Sequence, residues 1–452
     1  MYGELLPAEK TVGSYFRVQS ILQVVRFVVE GAIAMRAASR ITIIVNQCNG
    51  QDFVDAPSHT TVQNFLLRIG LYVLRYLVEH QSDWIWMVDH THSVGTTKCF
   101  VVVGIRLSEY RKLNRPLQHD DLTVLDLLPV DQSNGEIVRD QLSPLCVKFG
   151  TPLAILSDRG TDLNKGVHML QQAHSDVLLL YDVVHMVARM TEATLKNEPQ
   201  WSAFSSACSH CAHEIRQSKI SHLKPPRTKT KARYMNISQE IRWGARAICV
   251  LDRVRDGKVH ERQSARLPKD LLETKLQWLD EYRDSLIAWE KISLMGQEVI
   301  TTVRRLGYGM EAKRQLDEKL GIPDNKACRE WVAQIMEEVT QQCMAASKHQ
   351  SLPGTSEILE SLFGKMKRLL AGNNSGTTNS LTAQLLAMVT CTVKLTPQLV
   401  RDAISTCRIK HLRAWCKERL NASTNWARRI DLSPTPEEQK LRNPICPAIP
   451  NF

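Results

Sequence analysis

Three carboxylates, widely separated along the chain, have the residue types and settings that phosphoryl-transfer chemistry needs. Asp89 closes the apolar run WIWMVD (84–89), Asp158 closes PLAILSD (152–158), and Glu360 lies within SEILESLFGKMKRL (356–369). An acid at the carboxyl end of a strand in an open α/β sheet faces the crevice where such folds collect ligands. Two such acids begin a Mg²⁺ site, because Mg²⁺ takes hard oxygen ligands in octahedral geometry and shares the rest of its shell with water and phosphate. A third carboxylate completes the set. Two ions about 4 Å apart then activate an attacking oxygen and stabilise a leaving one. Any one of these acids alone reads as a turn former or a cap, so the reading rests on the three together.

The elements that must position them are legible around each acid. The glutamate segment reads as a helix: Pro353-Gly354 ends what precedes it, Thr355 or Ser356 can cap it, Glu357 suits its positive first turn, and Gly372 lies just past its end. At about 100° per residue, Glu360, Gly364 and Lys367 share one side, while Ile358, Leu359, Leu362, Phe363, Met366 and Leu369 form the apolar face. On that side Glu360 completes the metal site, Gly364 leaves room for a backbone, and Lys367 reaches a phosphate. Glu357 is the local rival as ligand.

The aspartates belong to a β-rich stretch. WIWMVD and KCFVVVGIRL flank HTHSVGTT, a hairpin-like connection, and LTVLDLLPV makes a third strand. GEIVRDQLSPLCVKFG is an amphipathic helix closed by Gly150. PLAILSD, the helix KGVHMLQQAH and the strand DVLLLYDVVH follow. The order β-β-β-α-β-α-β describes an α/β fold with a mixed five-stranded sheet and helices on its faces, and Val101 to Val103 indicate strands covered on both sides. Both aspartates share one edge if the first and fourth strands adjoin. His90, next to Asp89 on a strand, points to the other face, and Asp162 reads as loop chemistry. Asp182 and His185 in YDVVHM form an acid-x-x-His element that serves either as an auxiliary contact to the substrate or as a structural hydrogen bond.

Around this core, residues 1–80 read as a helical N-terminal region. Within it PSHTTVQNFLLRIG is either the turn and second helix of a helix-turn-helix, with Thr60, Gln63 and Asn64 toward base edges, or an ordinary helical hairpin. The core occupies 81–190 and resumes at 351–420 with the glutamate helix and those after it. An all-α insertion fills 191–350, and 421–452 is a C-terminal tail. A net charge of +11 and a pI near 9.1 favour a polyanionic partner. Lys224, Arg227, Lys229, Lys231 and Arg233 in KPPRTKTKAR, with Arg159 beside Asp158, are candidate phosphate contacts. The same loop also reads as a solvated charge run. The most apolar N-terminal stretch is interrupted by Arg26 and Glu30, which excludes a membrane span. The twelve cysteines lack a disulfide framework. Cys208, Cys211 and His213 in CSHCAHE are either zinc ligands short of a fourth partner or buried helix residues.

Taken together, WMVDHTHSVGTTK, LSDRGTDLNKGVHM, YDVVHMVARM and SEILESLFGKMKRL resemble the DDE transposases of bacterial insertion sequences, members of the RNase H-like superfamily that includes retroviral integrases. The resemblance covers roughly 84–190 and 350–420. Residue by residue it matches Asp89 and Asp158 to the two catalytic aspartates and Glu360 to the glutamate. Lys367 matches a lysine that contacts transposon-end DNA in one branch; the Tyr and Arg that this branch places before the glutamate are Pro353 and Ser356 here. The resemblance implies an RNase H-like core, two Mg²⁺ or Mn²⁺ ions on the three acids, and double-stranded DNA, both element ends and target, as substrate. It also implies a homo-oligomer on DNA, a cytoplasmic, nucleoid-associated location in a bacterium, and strand cleavage followed by strand transfer. A hydrolysis-only nuclease of the same superfamily, or a domesticated DNA-binding protein whose acids no longer hold metal, are the alternatives.

Overall fold

The computed structural model describes residues 10–48, 50, 56–94, 97–130, 132–226, 237–258, 268–369 and 385–420. Helices α1 (Val18–Val29), α2 (Met35–Cys48) and α3 (His59–Tyr72) precede the sheet. The sheet consists of β1 (Trp84–Val94), β2 (Thr97–Arg106), β3 (Thr123–Val130), β4 (Ala154–Ser157) and β5 (Leu178–Tyr181), in spatial order β3-β2-β1-β4-β5. β1 pairs antiparallel with β2 and parallel with β4, and β4 pairs parallel with β5. The first and fourth strands therefore adjoin.

Side-chain alternation explains why this stretch forms strands buried on both faces. Trp84, Trp86 and Val88 enter a core with Val138, Leu142 and Phe149 of α4 (Gly135–Phe149) and Leu163, Val167 and Leu170 of α5 (Thr161–Gln171). Ile85 and Met87 enter the opposite core, which they share with Ile21 and Val24 of α1 and Phe65 of α3. Ala154 and Leu156 of β4 belong to that second core as well, and Ile155 to the first. Period two then places Asp89 and Asp158 on the second face. Leu359, Leu362, Phe363 and Met366 of the glutamate helix pack into that same core.

Two boundaries differ from expectation. β1 runs on to Val94, so Asp89 is not its last residue; it pairs with Val101 within the β1–β2 hairpin, whose register shifts between His92 and Val94. HTHSVGTT is thus mostly strand, because cross-strand pairing with β2 continues as far as Thr97. Asp89 does lie just beyond the parallel pairing with β4, which ends at Met87. β5 stops at Tyr181, and DVVH opens α6 (Val183–Lys196), with Asp182 as its cap accepting from the His185 amide at 2.9 Å. The expected end of α4 holds: Gly150 has φ 97°, and a Cβ there would meet the Gln81 carbonyl oxygen at 2.1 Å.

The segment between β5 and the glutamate helix contains α7 (Trp201–Glu214), α8 (Ile237–Arg255), α9 (Lys269–Leu276), α10 (Arg283–Leu306), α11 (Met310–Leu320) and α12 (Lys326–Ala346). It has its own core, in which Trp201, Phe204, Trp278, Tyr282 and Trp289 meet at ring separations of 5.1 to 6.0 Å. One piece is not helical: β6 (Tyr308–Gly309) pairs with β7 (Ser351–Leu352), a ladder too short to leave a sequence pattern. α12 covers the outer edge of β5, where the Gln342 side-chain oxygen accepts from the Tyr181 amide at 3.0 Å. Cys208 and Cys211 are buried in the insertion core, with the Cys211 thiol pushed up to about 11 and the Cys208 thiol also raised, in each case by burial first, while His213 is exposed. Among the described residues they join no group of three His, Cys, Asp or Glu side chains that could hold a metal ion.

After α13 (Glu357–Leu369), the glutamate helix, the chain returns to the N-terminal helices through α14 (Pro397–Thr406) and α15 (Ile409–Leu420). α3 packs against α1, α2, α14 and α15, burying Val62, Phe65, Leu66, Ile69 and Leu71; Thr60 is exposed and Gln63 and Asn64 are half-buried. The buried Arg68 guanidinium donates to the carbonyls of Ile404 and Cys407 at the end of α14. α15 reaches the sheet through Arg419, which lies 3.0 Å from the buried Asp126 of β3. Among the described residues no helix is long and apolar enough to cross a membrane.

Candidate active site

Strand register brings the two aspartates together. β1 and β4 pair Ile85 with Ala154, Trp86 with Ile155 and Met87 with Leu156. That pairing ends two residues before Asp89 and two before Asp158; continued at the same register, on strands about 4.8 Å apart, it would set the two acids level. The Asp89 carboxylate accepts from the His90 amide at 2.6 Å, and that of Asp158 accepts from the Gly160 amide at 2.7 Å. Burial first, and then the neighbouring Asp158 charge, push the Asp89 carboxyl up to about 7; Glu360 adds to the rise, while the His90 amide and His185 oppose it.

The same register continues into β5. Ser157 pairs with Tyr181, so Asp182 follows level with Asp158. Asp182 is fully buried and spends its oxygens on structure: one accepts from the Ser356 amide at 2.5 Å and the Ser356 hydroxyl at 3.1 Å, the other from the His185 amide and its Nδ1 at 2.9 and 3.0 Å. Ser356 immediately precedes α13. Asp182 thus fastens the start of the glutamate helix to the end of β5, one turn before Glu360. A second tie is the Val183 amide donating to the Gly354 carbonyl at 2.8 Å. Gly354 must be glycine for this approach, since a Cβ would lie 2.2 Å from the Val303 side chain.

Glu360 is half-exposed, with an oxygen 3.8 Å from His185 Nε2. Burial raises its carboxyl and His185 opposes the rise. Burial would lower the His185 pKa, but the Asp182 hydrogen bond and charge, with Asp158 and Glu360 behind them, raise it to about 9. Glu357 is engaged elsewhere, by a bidentate contact to Arg304 of α10 with one leg of 2.6 Å. That engagement separates it from its rival. Where a Cβ would stand on Gly364 there is open space, and Lys367 is exposed.

Arg159 adopts φ 53°, a strained conformation for a residue with a side chain, directly after Asp158. Its guanidinium lies 3.3 Å from Glu338 of α12 and 4.8 Å from the Tyr181 ring centre. The imidazole of His90 lies 3.8 Å from Asp162. Lys224 is the last basic residue before the described chain breaks off; Arg227, Lys229, Lys231 and Arg233 lie outside the described residues.

Do these residues suit divalent cations? Among the described residues no three His, Cys, Asp or Glu groups are gathered at ligand spacing as they stand. Their chemistry does suit such ions: burial, together with oxygen donors of like charge close by, holds Asp89 partly protonated at neutral pH. Glu360 is half-exposed on its helix and within 3.8 Å of His185. Sequence reading had no access to the partners that set this geometry. Arg304 is 53 positions from Glu357 and Ser356 is 174 from Asp182. Only the Asp-x-x-His spacing offered a signal, and it is a capping pattern.

No family model matches the chain, and neither does any curated protein. Among solved structures, a Drosophila P element transposase strand transfer complex aligns with a TM-score of 0.37 and 12% identity, over 84% of this chain and 92% of that one. A likeness of that size fixes neither fold nor activity.

Proposed function

We propose that the protein is a metal-dependent DNA transposase of the DDE type, which cuts a strand at the ends of a mobile element and joins the freed 3′-hydroxyl to target DNA. The observation that supports the proposal is the parallel pairing of β1 with β4 two residues short of Asp89 and Asp158, with Glu360 3.8 Å from His185 on a helix whose start Asp182 holds. Asp89, Asp158 and Glu360 would hold two Mg²⁺ or Mn²⁺ ions, which supply a lowered pKa for the attacking water or hydroxyl and charge neutralisation at the leaving oxygen. The chain's own groups account for the rest. Protonated His185 donates toward a non-bridging phosphate oxygen, and Asp182 fixes its ring. The open side of Gly364 admits the DNA backbone, and Lys367 and Arg159 meet flanking phosphates. No serine or tyrosine nucleophile is required, because in-line attack by water or a 3′-hydroxyl leaves no protein-linked intermediate.

The test uses end-labelled duplex carrying the sequences that flank the coding region, a target plasmid, and Mg²⁺ or Mn²⁺. Wild type is expected to nick at the element end and then to move label into the plasmid, and Asp89→Asn to do neither. Nicking without joined product would reduce the reading to a hydrolytic nuclease. Metal-dependent binding with no cleavage under any condition would favour a DNA-binding protein without catalysis.

A further inference from the structure

A cavity of about 490 Å³ lies beside the glutamate helix, on the stripe next to the one that carries Glu360. Its walls come from the end of α1, from the 117–120 turn before β3, from Ile358, Ser361 and Lys365 of α13, and from 391–394. Successive residues on a helix are about 100° apart, so Ser361 and Lys365 face this cavity while Glu360 and Gly364 face the acid site. The polar lining is mostly cationic or neutral: Lys365, Lys394, His119, Gln118 and Ser361. His119 Nε2 and the Ser361 hydroxyl are 3.1 Å apart. Of the two acids on the wall, Glu30 is neutralised by Arg26 at 2.8 Å and Asp120 is exposed at the rim. Among the described residues, neither Lys365 nor Lys394 has an acidic partner, unlike the lysines of the insertion that pair with Glu214, Glu298 and Asp317. Burial first, then Lys365, with Arg368 adding and Asp120 opposing, hold His119 below its ordinary pKa. The two lysines and the His119–Ser361 pair are the features that favour an anion.

We propose that this cavity binds a backbone phosphate of the DNA strand leaving the acid site, with Lys365 and Lys394 supplying charge and the His119–Ser361 pair supplying hydrogen bonds. The inference rests on the reading of the acids as a DNA-processing centre and adds a contact that none of the residues singled out from sequence includes. Spacing supports it. Lys365 is five residues beyond Glu360, roughly 7.5 Å along the helix axis and about 140° around it, so the cavity lies little more than one turn on and to the side of the acids. A strand that wraps this helix on leaving the acids would bring a flanking phosphate to the mouth of this cavity. Leu117, Ile358 and Val393 give the cavity an apolar side against which a sugar can rest.

The experiment measures duplex affinity by fluorescence anisotropy across a salt series, with full-length protein and Ca²⁺ present to prevent cleavage. The Lys365→Gln, Lys394→Gln double variant is expected to bind on the order of tenfold more weakly at low salt, with the slope of log K against log salt shallower by roughly 0.9, the share of one phosphate contact. Lys319→Gln, which removes a lysine already engaged by Glu298, is expected to leave both unchanged. Ser361→Trp, which fills the cavity and keeps both lysines, is expected to weaken binding as well, and it keeps the test open should the double variant melt at a lower temperature. Unchanged affinity and slope in the double variant, or unchanged affinity in Ser361→Trp, would overturn the proposal. Because the readout is binding, this outcome is separable from the nicking assay: wild-type nicking with no effect of the lysines sinks the cavity alone, and lysine-dependent binding without nicking sinks the transposase reading alone.

Discussion

The acids of the helical insertion and those at the sheet edge live under opposite electrostatic rules. In the insertion, Arg255 meets Glu273 and Asp280 at 2.8 Å, and Arg283 meets Asp252 and Asp280 at 2.6 Å. Arg283, through its hydrogen bond, holds Asp252 below the usual carboxylate range, and Arg255 does the same first for Asp280. At the sheet edge, burial and then the Asp158 charge push Asp89 up to about 7, with the His90 amide and His185 opposing the rise. A charge network that serves only the fold pairs each acid with a base. A set of acids left facing one another holds an electrostatic cost in the fold, and a divalent cation relieves it.

The contrast breaks most clearly at the strand ends. Asp89→Asn or Asp158→Asn is expected to lower metal-dependent strand cleavage at least ~10³-fold, the size of several kcal/mol of lost charge stabilisation, with duplex binding in Ca²⁺ retained. Comparable cleavage rates in both variants would place the chemistry elsewhere. The next effect is on stability against pH. Asp89 has a folded pKa above its unfolded value, so its contribution is present below the ordinary carboxylate pKa and is lost as pH rises through about 7. Asp252 and Asp280 are shifted the other way, so theirs is present above that range and lost on acidification. Melting temperature without divalent ions should therefore decline for wild type relative to Asp89→Asn between about pH 5 and pH 8, and Mn²⁺ should reverse the decline. A pH-independent difference between the two proteins would contradict the shift.

Asp182→Asn sharpens the comparison at a buried acid that is paired. It removes the charge that raises His185 and weakens the hold on Ser356, and cleavage should fall about 10- to 100-fold through misplacement of Glu360. Equal activity would show that α13 is positioned without this anchor. In the insertion, Arg283→Gln should destabilise by about 1 kcal/mol at most, because the pair is partly exposed and screened; cleavage should be unchanged, and urea melts against rates would decide. The smallest change is Gly364→Ala, which meets nothing within 4 Å and should stabilise α13 by about 0.5 to 1 kcal/mol.

The two regions were also unequally legible in the sequence. The acids, the β-β-β-α-β-α-β order and the glutamate helix were readable because period-two apolar runs and capping residues are local signals. The end of β1 was not, because its continuation to Val94 depends on pairing with β2 and not on hydrophobicity. The end of β5 was misread because Val183 and Val184 suit a strand as well as a helix, and the Asp182 cap decides the matter. The insertion showed its helices but not their purpose. Gln342 closing the edge of β5, Glu338 facing Arg159 and Arg304 claiming Glu357 are contacts across 161, 179 and 53 residues, with no trace in local pattern. These distant partners set the surroundings of the three acids.

The most direct measurement is the anomalous scattering of Mn²⁺ in crystals of the protein bound to a cleaved duplex end, at neutral pH. The account requires Mn²⁺ peaks liganded by Asp89 and Asp158, at least one of them also by Glu360, and their loss in Asp158→Asn. Mn²⁺ bound elsewhere, with the three carboxylates contacting only protein and water, would contradict it.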